Sequence, residues 1–113
     1  MSESLSAATD VSEFISDLDG GIFERKLSIA LSSVAAAVCD NARQGKVTVE
    51  FSVVAIPGTS QVHIKHTLKF SRPTMDGEAT EKESRSTPMH VGKYGKLSLA
   101  PENQLQIFGK EPA

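Results

Sequence analysis

The chain has no tryptophan, one tyrosine and a single cysteine, and aromatic residues make up only 5% of it. Cys39 has no intramolecular partner, which excludes an internal disulfide and suits a reducing compartment. No apolar run approaches the roughly 18 residues that read as a membrane-spanning helix. Residues Met1 to Asp10 have neither a basic start nor an apolar stretch, so they do not read as a secretory signal. These absences point to a cytoplasmic protein without membrane contact. The chemistry that is missing is as informative. There is no glycine-rich phosphate loop before a helix, no His-x-x-x-His, and no second cysteine to share a metal with the first. The carboxylates are scattered without apolar enclosure to raise a pKa, which leaves general acid–base catalysis unsupported. The expectation is a protein that is not an enzyme and carries no cofactor or metal.

What is present fits one domain of 113 residues. The net charge of −2 is unevenly spread. Residues 1–21 hold Glu3, Asp10, Glu13, Asp17 and Asp19 and no basic residue, a charge of −5. Residues 43–72 hold Arg43, Lys46, Lys65, Lys69 and Arg72 against Glu50 alone, a charge of +4. An acidic arm therefore precedes a basic hairpin.

A short helix is expected over 11–18, capped by Asp10 or Ser12 and stopped by Gly20-Gly21. A longer helix is expected over 22–44. Its stripe of Phe23, Leu27, Ala30, Leu31, Val34 and Val38 keeps the 3.6-residue period, and Gly45 stands where a C-terminal cap belongs. Period-two alternation then takes over. Val47, Val49, Phe51 and Val53 alternate with Lys46, Thr48, Glu50 and Ser52. After the turn around Pro57-Gly58, Val62, Ile64, Leu68 and Phe70 alternate with His63, Lys65, Thr67 and Lys69. Only His66 interrupts the apolar row. Residues 71–87 hold almost nothing to bury and are expected to form a flexible loop. Met89 and Val91, then Leu97 and Leu99, flank Gly92–Gly95 as a second, shorter hairpin. The predicted architecture is α+β: a long amphipathic helix packed on an antiparallel sheet of two hairpins, preceded by a short helix. Residues 1–9 are expected to be a disordered arm, 10–100 the domain, and 101–113 a tail with an apolar cluster of Leu105, Ile107 and Phe108.

Few side chains tempt a functional reading. Cys39 is expected to be a buried, inert thiol on the helix. His63 and His66 are three apart on a strand and point to opposite faces, so they cannot share a metal without another element, and His90 would have to supply a ligand from a different hairpin. The basic strand face is the stronger candidate: Lys46, His63, Lys65 and Lys69, with Arg72 beyond them, could contact a partner or a phosphate backbone. It has no interleaved aromatic residue, so base stacking is missing.

Four stretches carry a resemblance. Gly20–Glu24, Ser33–Ala42, Gly45–Phe51 and Ser71–Pro73 resemble small proteins encoded by bacteriophages and prophages, over about residues 20–100. The resemblance implies an accessory protein acting in phage replication, recombination or host interference, and supplies no site residue. The expected function is binding of a protein partner, as a host or anti-host-defence modulator. The alternative is a nucleic-acid-binding accessory protein. Because the foldable part is small and a hairpin leaves open edges, a homodimer is expected.

Overall fold

The computed structural model describes residues 8–100. Helix α1 (Val11–Asp17) and a short 3-10 turn (Leu18–Gly21) lead into helix α2 (Ile22–Asn41). Four strands follow: β1 (Lys46–Ala55), β2 (Gln61–Thr74), β3 (Gly77–Val91) and β4 (Leu97–Ser98). All pairings are antiparallel and the sheet order is β1-β2-β3-β4. The fold is α+β, with both helices on one face of the sheet.

Local chemistry explains each helix boundary. The Asp10 carboxylate accepts the backbone N–H groups of Ser12 at 3.0 Å and Glu13 at 3.5 Å, which satisfies donors that a helix start leaves open. Between the helices, Asp19, Gly20 and Gly21 all adopt positive φ, at 51°, 64° and 90°. Successive left-handed residues cannot continue a helix, and this joint turns the chain so that α1 and α2 meet the sheet separately. At the far end, α2 stops at Ala42, not at Gly45. Ala42 has φ 54° and its N–H reaches the Val38 carbonyl at 2.9 Å. Gly45 has another task, the close approach of β1 to α2.

The core lies between α1, α2 and the middle of the sheet. Phe14, Leu18, Phe23, Ala30, Ile64, Leu68 and Met89 are buried together, and Val34 is buried beside them on α2. The helix stripe is rotated from the expected one. Ala30 is fully buried while Leu31 is 53% exposed, because the small side chain lets α2 settle closely onto β2 and turns Leu31 out to one flank. Cys39 is likewise exposed, on the side of α2 away from the sheet.

The largest correction concerns residues 71–87, which form paired strand, not a loop. β2 runs on to Thr74 and β3 begins at Gly77, so the two strands join through Met75 and Asp76. Their polar sequence misleads because neither face of β3 here needs apolar residues. One face meets solvent, and on the other Glu81, Glu83 and Arg85 meet Arg72 of β2, Lys26 of α2 and Asp19 of the joint. Two side chains tie the hairpin tip to the end of α2: Asn41 Nδ2 donates to the Pro73 carbonyl at 3.1 Å and Arg43 donates to the Thr74 carbonyl. Met89–Val91 and Leu97–Ser98 do pair as the short second hairpin, through His90–Ser98 and Val91–Leu97. Thr9, expected in the disordered N-terminal arm, is instead anchored to this second hairpin. Its hydroxyl donates to the Gly95 carbonyl and accepts the Leu97 N–H, both at 3.2 Å. The remaining arm, 1–7, and the tail with Leu105, Ile107 and Phe108 lie outside the described residues.

Candidate functional site

The sheet has two unlike faces, because side chains alternate along each strand. On the outer face, opposite the helices, cross-strand rows read Lys46–Ser71–Thr80, Thr48–Lys69–Lys82, Glu50–Thr67–Ser84, Ser52–Lys65–Ser86 and Val54–His63–Pro88. No element of the described residues covers this face. Lys46, His63, Lys65 and Lys69 all stand on it, as the alternation requires. Lys82 joins them directly opposite Lys69. Reading residues 71–87 as a loop concealed Lys82. Two like charges facing each other across strands oppose pairing. Hydroxyl pairs hold the ladder on both sides of them: Ser71–Thr80 at 2.8 Å and Thr67–Ser84 at 2.9 Å. A shallow depression of about 500 Å³ opens at this end, lined among others by Lys46, Thr48, Lys69, Ser71, Glu78 and Thr80. Arg72 is not part of the patch. Its even position on β2 places it on the helix side, where it pairs with Glu81 at 3.1 Å.

The inner face carries a polar network beside the core. Lys26 on α2 contacts Glu83 at 2.5 Å, Arg85 contacts Glu83 at 3.1 Å, and Arg85 lies 3.7 Å from Asp19. The Lys26 and Arg85 hydrogen bonds hold the Glu83 carboxyl below its usual pKa. These groups remain partly exposed, so each pair is worth at most about 1 kcal/mol. Behind them His66 is buried, with Phe23 edge-on at 5.1 Å between ring centres. The Thr87 hydroxyl lies 3.0 Å from His66 Nε2 and accepts the Asp19 N–H at 2.9 Å. Thr87 is thus free to donate its own proton to Nε2, which leaves a neutral ring with its proton on Nδ1. The interruption in the apolar row of β2 is a histidine hydrogen-bonded to Thr87, and Thr87 in turn ties β3 to the α1–α2 joint through the Asp19 N–H.

Burial lowers the His66 pKa, opposed by nearby Asp19 and reinforced by Arg85. The unfolded chain therefore binds the extra proton. Stability from this site is fully present above about pH 6.5, the usual histidine value, and declines as pH falls toward the lower folded-state value. The Glu83 window lies lower, below about pH 4.3. Urea midpoints at about pH 7.5 and about pH 5 should differ, with the lower pH less stable, and His66→Gln should shrink the difference. A wild-type midpoint unchanged between the two would contradict a neutral buried ring.

Among the described residues no group of three His, Cys, Asp or Glu is placed to hold a metal ion. No helix among them is long and apolar enough to cross a membrane. The family model described as YfdP family matches residues 10–97, from the cap of α1 to the first residue of β4. The chain belongs to the YfdP family. It is 38% identical over 101 residues to the Escherichia coli (strain K12) protein described as uncharacterized protein YfdP, covering 89% of this chain and 83% of that protein. No solved structure matches it. The YfdP family match thus takes in the lysine face, the His66 network and the α1–α2 joint.

Proposed function

We propose that the chain is a non-enzymatic accessory protein of phage type that acts by binding an acidic protein surface through the outer face of its sheet. The observation that supports this reading is the cross-strand pair Lys69–Lys82, with Lys46 and Lys65 on the same uncovered face. Like charges opposite each other weaken a sheet, and an acidic partner would relieve that cost. The overall net charge of −2 gives no general attraction to nucleic acid, and the face has no aromatic residue for bases to stack on. Lys and Ser/Thr side chains on an open sheet face suit carboxylates presented by a folded surface.

A second reading assigns the same face to a nucleic-acid backbone. The depression where Lys46 and Lys69 stand among the hydroxyls of Thr48, Ser71 and Thr80 favours it, since these are phosphate-binding groups. One pair of experiments separates the readings. Wild type and the double variant Lys69→Glu, Lys82→Glu are used as bait in Escherichia coli lysate, and both are titrated against labelled single- and double-stranded DNA across a salt series. A protein held by wild type and lost by the double variant is the expected result. DNA retention that falls steeply with salt and vanishes in the variant would transfer the face to the second reading. Identical behaviour of both baits, with no DNA binding, would remove the lysine face from the function.

A further inference from the structure

The two edges of the sheet are built differently. From Gly77 to Met89, β3 has no strand beyond it among the described residues, since β4 pairs only with His90 and Val91. That edge is guarded by Pro88 and by Glu81, Glu83 and Arg85, whose charges point to the helix side. Proline and inward-pointing charges are the usual protection against edge-to-edge pairing. β1 has none of it. It runs ten residues in unbroken register with β2, without proline or bulge, and its helix-side row is Val47, Val49, Phe51 and Val53. Phe51 is 40% exposed and Val53 59%. Lys26 ties one flank of α2 to β3, so Leu31 falls on the opposite flank, toward β1, where it adds to the same apolar strip.

We infer that β1 pairs with β1 of a second copy about a twofold axis through Phe51, joining two sheets into one. The strand's own sequence selects this occupant. Both rows of apolar side chains stay on the helix side only if odd residues face odd residues. Two centres of symmetry then pair all but one residue of the strand. A centre at Glu50 sets two carboxylates opposite each other, which is unfavourable. A centre at Phe51 sets Phe51 against its copy, Val49 against Val53, Val47 against Ala55, and Glu50 against Ser52. Phe51 is already held in place, with the Phe14 ring at 5.2 Å and the Phe23 ring at 6.0 Å, so little ordering is lost when its exposed edge is covered. The paired arrangement also makes the lysine faces of both copies continuous.

Sedimentation equilibrium at micromolar concentration tests the pairing. Wild type should show twice the 12.1 kDa chain mass. Val53→Lys changes a side chain already mostly in solvent and places a charge in the apolar row. It should halve the mass while the circular dichroism spectrum is retained. Lys69→Glu should leave the mass doubled, so loss of the dimer and loss of the lysine-face function are separable. The register is read in a Cys39→Ser background. Phe51→Cys should form an intermolecular disulfide, whereas Glu50→Cys should not, because its Cα atoms would stand about 7–8 Å apart along the diagonal, beyond disulfide reach. A wild-type mass of one chain at every concentration overturns the inference. So does a dimer that survives Val53→Lys, which would place the contact elsewhere. A chain that dimerises only after removal of residues 101–113 also overturns it, since the edge would then belong to that segment.

Discussion

Ile64→Ala is expected to cost about 2–5 kcal/mol, the largest loss from any single truncation in the sheet. Ile64 is 0% exposed and lies in the middle of β2, paired with Val53 on one side and Thr87 on the other. It belongs to the cluster that joins Phe14 and Leu18 to Phe23, Leu68 and Met89, so the cavity left by alanine is walled by both the helix layer and the neighbouring strand. Neither can close it alone. The α1–α2 joint is fixed by its left-handed residues, and β3 is fixed by a register that continues to the hairpin tip. Ile64→Val, which removes one methylene, should cost about 0.5–1.5 kcal/mol, giving a graded series. Urea denaturation at one protein concentration measures both, with the midpoint moving and the slope unchanged. A loss for Ile64→Ala below about 0.5 kcal/mol, the scale of surface substitutions, would mean that the core is elsewhere.

Gly45→Ala should destabilise by about 1–3 kcal/mol through overpacking, although the backbone there suits any residue. A β-carbon at position 45 would lie 2.5 Å from Val34 Cγ1, 3.1 Å from Val38 Cγ2 and 3.1 Å from the Ser71 carbonyl oxygen. Val34 is buried against the sheet and the Ser71 carbonyl belongs to the backbone of β2, so neither yields easily. Relief would require α2 to lift from the sheet at its C-terminal end, opposing the Asn41 and Arg43 ties to the hairpin tip. Gly58→Ala is the informative comparison. Nothing lies within 4 Å of a β-carbon there, but φ is +78°, so its cost is a backbone cost. Thermal unfolding of the two variants distinguishes them further when Val34→Ala is added. The smaller side chain should rescue part of Gly45→Ala and nothing of Gly58→Ala.

The lysine face shows what alternation can reveal and what it cannot. Lys46, Lys65, Lys69 and His63 were legible as one face because period two assigns each side chain to a side wherever the apolar row is continuous. Arg72 escapes the alternation because the apolar row ends at Phe70, and only the continuing register of β2 shows that position 72 turns toward the helices, to Glu81. Lys82 is hidden from the sequence for the same reason. On β3, hydrophobicity no longer distinguishes the faces, since Glu81, Glu83 and Arg85 point inward as readily as Lys82 points out.

By itself the sequence determined the class of fold, the capped α1, the two-glycine joint, the long helix and the first hairpin, because each of these is written in local chemistry. Caps, turn residues and hydrophobic periods act over a few positions, and no distant partner is needed to read them. Only the tertiary structure decided which flank of α2 is buried, that residues 71–87 are strand, and that Gly45 serves close packing in place of a helix cap. Those outcomes depend on what stands across from a residue. Glu83 is stable on an inward face because Lys26 reaches it, Leu31 is exposed because Ala30 lets the helix settle closely, and Gly45 is needed because Val34 and Ser71 leave no room for a methyl group.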